Sequence, residues 1–273
     1  MKPYLSLSIN NLANFDLYFQ GVQQSNLKLK LPFVEILWDN YCHLEPQLIL
    51  EYLSPFSDRI AFHIMWSKFL ELEQEELLQF LQRLKYHIQV INPLYISDHL
   101  CQFKINNTHL FTSVELLYNN LDLVTERVKQ YQDIIESQLL LENNASTSYQ
   151  GKKQIEFFQK LRERTNCGIF FDISNARVAE KNGITKFCNW LDILTGDDQI
   201  YCHVGGYSYN LDDDLIYDSH DSNLTKETLA DLTTVIQCLN IKTICYEREY
   251  QRTSEIIANE LNLIEKALLY CQS

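Results

Sequence analysis

GIFFDISN (168–175), IYCHVGG (200–206) and TICYERE (243–249) each carry a short apolar run straight into an acidic residue or a histidine. Runs this short, rich in aromatic and β-branched side chains, read as buried strands. A metal-competent or acidic residue at the same end of each one is more than packing requires. The form recurs upstream in SLSIN (6–10), VEILWDN (34–40), RIAFHI (59–64), LYISDHL (94–100) and QLLLEN (138–143). Between the runs lie longer stretches with apolar residues three and four apart. They are 73–92 (Leu77, Phe80, Leu81, Leu84), 114–137 (Leu121, Val124, Val128, Ile135), 226–240 and 254–271. Strand and helix therefore alternate throughout, which predicts an α/β fold: one (β/α)8 TIM-like barrel domain over residues 1–273. In that architecture the active site is built at the carboxyl ends of the strands, where His63, Asp98, His99, Glu142, Asp172, His203 and Glu247 fall. The least regular segments, 101–113, 144–153 and 205–224, follow strand ends and read as loops on the same face.

The 273 residues suit a fold that typically needs roughly 250, with 46% apolar residues to fill a large core and only seven glycines and five prolines. Acidic residues outnumber basic ones 36 to 23, a formal charge of −13, and no Lys/Arg cluster stands out. Such a field repels phosphate backbones and anionic lipid, so neither nucleic acid nor membrane is an expected partner. The eight cysteines are dispersed with no CxxC pair, and Cys167, Cys202 and Cys245 fall in or beside buried strands. That usage points to a reducing compartment. With no signal-peptide pattern and no run approaching a membrane span, a cytoplasmic protein is expected.

His63, His99 and His203 sit at strand ends, and His220 follows soon after strand seven, whereas His43, His87 and His109 have no such context and read as surface or packing residues. Neutral imidazole is a good ligand for iron, zinc and related metals. Glu142, Asp172, Asp218 and Glu247 each follow a run that would be buried, and a buried carboxylate without a counter-charge is costly. Salt bridges to Arg177 and Arg248 are one way to meet that cost, yet two arginines cannot offset four acids, and a metal cluster is the better reading. Asn175 suits either a side-chain ligand or a helix N-cap. Asp218-Ser-His220 also has the spacing of a general acid–base pair, so both residues are candidate catalytic groups. Asp39, Asn40 and Asp98 are candidates for partners behind the ligands, Asp98 by orienting an imidazole. Mixed imidazole and carboxylate donors without a cysteine cluster suit iron, manganese or zinc, and there are more of them than one ion can use.

Taken together, SDHL with His99, LLLEN with Glu142, GIFFDISNARVAEKN with Asp172 and Asn175, CHVGGY with His203, YDSHD with Asp218 and His220, and YERE with Glu247 resemble the multinuclear non-haem iron oxidase family. Within it, FVEILWDNYCHL (33–44) and IAFHIMWSKFLELEQEEL (60–77) are most similar to the branch that makes methanobactin. The resemblance implies a TIM-like barrel binding two or three iron ions in mixed oxidation states, with dioxygen as co-substrate. It implies a cysteine-containing, ribosomally made precursor peptide as substrate, converted to an oxazolone with an adjacent thioamide. It further implies a smaller partner subunit that forms a heterodimer with the enzyme. The ligands it implies are His63, His99, Glu142, Asp172, His203, Asp218, His220 and Glu247, with Asn175 beside them. The chain departs from the family's frequent Glu-Arg-Asp at Glu247-Arg248-Glu249, which leaves Glu247 intact and gives position 249 no inherited role. Two other readings use the same residues: a divalent-metal isomerase or hydrolase on a xylose-isomerase-like barrel, and a non-catalytic metal-binding scaffold in a peptide-maturation complex.

Overall fold

A computed structural model describes residues 3–10, 15–27, 30–105, 108–250 and 252–271. The chain runs β1 (Tyr4–Ile9), α1 (Phe15–Gln24), β2 (Val34–Leu37), α2 (Pro46–Leu53), β3 (Ile60–Ile64), α3 (Gln74–Ile91) and β4 (Ile96–His99). A hairpin, β5 (Cys101–Ile105) and β6 (Thr108–Glu115), then precedes α4 (Leu121–Ile135), β7 (Leu140–Glu142), α5 (Gln154–Thr165) and β8 (Gly168–Asp172). Two helices, α6 (Ile173–Lys181) and α7 (Phe187–Leu194), lead to β9 (Ile200–Gly205). A second hairpin, β10 (Ser208–Asn210) and β11 (Leu215–Tyr217), is followed by α8 (Lys226–Cys238), β12 (Ile241–Glu247) and α9 (Ser254–Tyr270).

The strands β1, β2, β3, β4, β7, β8, β9 and β12 are parallel and close into a barrel, β12 pairing with β1. The expected (β/α)8 fold is what forms. Side chains alternate across each strand, so one parity faces the helices and the other the barrel interior. Val34, Ile36, Phe62, Ile64, Leu141, Ile169, Phe171, Val204 and Ile244 belong to the large core between strands and helices. Phe33, Ala61, Tyr95, Leu140, Phe170 and Cys245 form a separate cluster, the plug of the barrel. Each plug residue stands two positions before a polar one: Phe33 before Glu35, Ala61 before His63, Tyr95 before Ser97, Leu140 before Glu142, Phe170 before Asp172 and Cys245 before Glu247. The same inward parity that fills the bottom of the barrel thus carries the polar residues at its top.

Four expectations need correcting. The helix expected over 114–137 begins only at Leu121, because Asn120 caps it, its side chain accepting from the backbone N–H of Leu123 at 3.3 Å. Residues up to Glu115 are instead strand. The expected loop 101–113 lies largely in the hairpin of β5 and β6, with 106 and 107 outside the described residues. Likewise 205–224 holds β10 and β11, and 144–153 ends in a short 3-10 turn, Tyr149–Lys153. The second hairpin has no buried residue, and in the first only Cys101 and Phe103 are buried, so neither carries the long buried apolar run by which the barrel strands are read.

Candidate metal centre

The polar residues at the barrel top converge from six strands, one helix and one loop. On β3 and β4, His63 Nε2 lies 3.0 Å from His99 Nε2, and both lie 3.5 Å from Glu142 Oε2 on β7. His203 on β9 directs Nδ1 to Glu142 Oε1 at 3.5 Å and to Glu247 Oε2 of β12 at 3.2 Å. His220 Nε2 stands 2.7 Å from Asp218 Oδ2 and 3.4 Å from Glu247 Oε2. Asp172, at the end of β8, is the N-cap of α6, its Oδ1 accepting from the backbone N–H of Asn175 at 2.6 Å. Asn175 is therefore not the cap. Its amide donates to Glu142 Oε1 at 3.3 Å and to the carbonyl of Asn143 at 2.9 Å.

Glu142 Oε2, Asp172 Oδ2, Asn175 Oδ1, His203 Nδ1 and Asp218 Oδ1 are all buried, and none has a hydrogen-bond partner. Orphaned groups of this kind are individually costly, and so many turned to one space mark a cation site. The spacings agree. Two donor atoms held ~2.1 Å from one ion stand ~3.0–3.4 Å apart, close to the separations above. Four overlapping groups of described residues could hold metal ions: His63, His99 and Glu142; His63, His203 and Glu247; Glu142, Asp172, His203 and Glu247; and, deeper in the barrel, Glu35, His203 and Cys245. The donors are imidazole nitrogens and carboxylate or amide oxygens. The nearby Cys245 thiol is held protonated by burial and by the Glu35 charge. Such a set suits iron, manganese or zinc.

Electrostatics within the cluster are dominated by burial and by the crowding of its carboxylates. Burial pushes the Asp172 carboxyl well above its ordinary range, and the charges of Asp218, Glu142 and Glu247 push it further. Burial alone would lower the His203 and His220 imidazoles. Carboxylates outweigh it, holding His203 (Glu247, Glu35, Glu142) and His220 (Asp218, Glu247) well above their usual range. His63 goes the other way, lowered by desolvation. Its Nδ1 lies 2.9 Å from Ser97 Oγ, and since that hydroxyl donates to the carbonyl of Phe62 at 3.3 Å, it accepts from Nδ1–H and leaves Nε2 bare toward Glu142.

The loop carrying Asp218 and His220 is clamped by backbone. His220 adopts φ +49°; its N–H donates to the carbonyl of Gly206 at 3.0 Å, and its own carbonyl accepts from the N–H of Glu249 at 3.0 Å. Gly206 is essential to this seat: a Cβ there would lie 1.8 Å from the carbonyl oxygen of Ser222.

Residues 17–268 match a family model described as the RiPP precursor modification enzyme MbnB/TglH/ChrH. The chain belongs to this family. Curated relatives of this MbnB/TglH/ChrH member carry only the designation UPF0276 protein. One from Caulobacter vibrioides is 28% identical over 149 residues, 53% of this chain and 52% of the relative. One from Shewanella sediminis is 24% identical over 195 residues, 69% of each chain. The chain spans about half the length of the first curated relatives it matches. Among solved structures, a xylose isomerase-like TIM barrel protein from Mycobacterium smegmatis in complex with magnesium aligns with TM-score 0.64 and 14% identity, covering 93% of this chain and 88% of that one. Endonuclease IV from Thermus thermophilus aligns with TM-score 0.55 and 13% identity over 98% of this chain and 100% of that one. These two similarities concern the fold alone.

Every candidate ligand of this MbnB/TglH/ChrH member, His63, His99, Glu142, Asp172, Asn175, His203, Asp218, His220 and Glu247, lies in or at the edge of the cluster. Arg177 pairs with Asp231, Glu180 and Glu227, away from the cluster, and Arg248 donates to the carbonyls of Ser222 and Tyr250 and to Asn223. Asp98 has the outward parity. It accepts from Tyr131 at 3.1 Å between strand and helix and orients no imidazole. Asp39 accepts from the backbone N–H groups of Met65 and Trp66 at 2.8 and 3.1 Å, pinning the loop after His63. Asn40 donates to the carbonyl of Asn10, whose amide in turn donates to Glu249 Oε1 at 2.8 Å. Two residues escaped the sequence reading. Asn143 bridges β7 and β8, accepting from the N–H of Asp172 at 2.7 Å and donating to its carbonyl at 2.9 Å. Glu35, fully buried in β2, contacts His203; its signal was a lone charge inside an otherwise apolar strand, VEIL.

Proposed function

We propose that this chain is a multinuclear iron oxidase that uses dioxygen to modify cysteine in a ribosomally made precursor peptide, forming an oxazolone and thioamide with the help of a smaller partner subunit. The observation that carries the reading is the set of orphaned donors at the barrel top. Glu142 links the His63/His99 group to the His203/Asp172 group, and Glu247 links that group to Asp218 and His220, an arrangement suited to two or three ions with bridging carboxylates. Membership of a precursor-peptide modification family supports the substrate class. The eight free thiols suit a cytoplasmic setting.

Iron held by these donors supplies thiolate binding and electron transfer to dioxygen. Forming an oxazolone and a thioamide removes four electrons from the peptide, and reducing O2 to two waters takes four, so no nicotinamide or flavin is needed. The protein's part is placement. Glu142, Asp172 and His203 are shut off from solvent, while His99, Asp218 and His220 keep 12–17% of their side-chain surface exposed and define the side from which a peptide reaches the site. There Asp218 and His220, 2.7 Å apart, can share a proton.

Glu142→Ala and His220→Ala are each expected to lower iron content and to abolish the oxygen-dependent mass change of a cysteine-containing precursor peptide encoded beside the gene. Full turnover in either variant would contradict the assignment. Oxygen-independent turnover of a sugar or phosphodiester with magnesium or manganese would favour the isomerase or hydrolase. Peptide binding with no mass change by the iron-loaded protein would favour the scaffold.

A further inference from the structure

Beneath the candidate metal centre, inside the barrel, lies a polar network that the proposed chemistry does not use. Glu35 is fully buried, and both its oxygens face His203 Nε2, at 2.9 and 2.8 Å. From below, the Tyr95 hydroxyl donates to Glu35 Oε2 at 2.7 Å, and the Cys245 thiol donates to Oε1 at 3.6 Å. Tyr95 is itself wedged in the plug, its ring centroid 5.1 Å from Phe170 and 5.0 Å from Tyr201. A carboxylate is an acceptor only, so its two contacts with Nε2 require the proton of His203 to sit on that nitrogen. The other nitrogen, Nδ1, is the one turned to Glu142 and Glu247, and it has no hydrogen-bond partner.

We propose that Glu35 is a positioning residue: with Tyr95 behind it, it fixes His203 in the tautomer that offers Nδ1 to the metal. The inference rests on the metal-centre reading and adds to it a residue outside the candidate ligand set. His63 has the mirrored arrangement, with Ser97 taking Nδ1–H and Nε2 facing the metal space. The barrel interior thus dictates which nitrogen each of these two histidines presents. A ligand imidazole held from behind by a carboxylate gains a fixed ring plane, and loss of such a partner typically lowers metal affinity ~10–100-fold.

The test is anaerobic titration of the metal-free protein with ferrous iron, comparing the parent with Glu35→Leu, Glu35→Gln and Glu35→Asp. It is read as affinity and stoichiometry, beside the Tm of each metal-free protein. Zinc-loaded, 15N-histidine-labelled protein reports the His203 tautomer directly by NMR. Positioning predicts that Glu35→Leu still folds in the metal-free state, with a Tm lowered by the buried His203 Nε2–H and Tyr95 hydroxyl that it leaves without an acceptor. It should bind iron ~10–100-fold more weakly and lose the protected His203 Nε2–H signal. Glu35→Gln, which keeps an acceptor at the right distance, stays within about tenfold of the parent, whereas the shortened Glu35→Asp behaves like Glu35→Leu. Parent-like iron binding by Glu35→Leu overturns the proposal, as does Asp retaining binding while Gln loses it, since that would make charge rather than geometry the contribution. If the parent itself binds no metal, the metal-centre reading fails and the positioning role falls with it.

Discussion

A charged or imidazole side chain at an inward position of a closed barrel has nowhere to turn except the axis, so its identity there is a statement about what occupies the axis. Glu142 and His63 obey this rule, and so does Glu35. Asp98, one residue before His99, has the opposite parity and ends beside Tyr131. Its neighbour in sequence is a candidate ligand while Asp98 itself is a packing carboxyl, raised well above its usual range by burial. The candidate ligands on the strands were legible because each ends an apolar run. Glu35 was missed and Asp98 misplaced because their roles depend on strand phase, which barrel closure sets. His87 shows the opposite case, a histidine with no ligand role. It is buried on α3, with its ring centroid 5.5 Å from that of Trp38 and neither nitrogen hydrogen-bonded. Burial, with the Arg83 charge, lowers its pKa from 6.5 to about 4. The unfolded chain therefore binds this proton more readily, so stability is fully present above pH 6.5 and is lost as pH falls from there toward 4. His87→Phe should flatten that limb: the Tm of the metal-free variant is expected to fall less than the parent's between pH 6.5 and pH 4. Parallel Tm curves would refute the assignment.

Elements differ in how plainly the sequence announces them. The eight barrel strands were readable because both of their faces are buried, and the long helices because one stripe is. The hairpin of β5 and β6 was not: Phe111 is fully exposed, and the strands pair chiefly with each other. Its attachment to the barrel depends on a side chain far away in sequence. Glu71 Oε1, in the loop before α3, accepts from the backbone N–H groups of Phe103 and Lys104 at 2.8 and 2.9 Å, and Phe103 packs at a tilt against Trp66 with centroids 5.2 Å apart. Glu71→Ala removes the acceptor for two backbone donors, each worth about 1–2 kcal/mol to this local attachment. Limited proteolysis should then cut the hairpin several-fold faster while barrel fragments persist, because the loss is local rather than global. Unchanged cleavage would show that Trp66 and Phe103 hold the hairpin without Glu71.

For the whole molecule, the central fact is an excess of negative charge, −13 overall, with carboxylates gathered at one end of the barrel axis and no arginine paired with them in the bonds described above. A cation that binds the folded barrel and not the unfolded chain stabilises it by mass action, about 2.7 kcal/mol at a hundredfold excess over Kd. Fold and centre are therefore linked: the closed barrel brings the donors together, and ions held there would relieve the repulsion that closure creates. Similarity to a barrel in complex with magnesium and to an endonuclease IV, at 14% identity or less, concerns the fold alone and leaves the choice of ion to the donors themselves. The most direct measurement is elemental analysis of protein expressed with iron and purified without oxygen, beside Glu142→Ala prepared identically. The account predicts more than one iron per chain in the parent and its loss in the variant. A single zinc or manganese per chain, with iron unable to reconstitute the site, would contradict it.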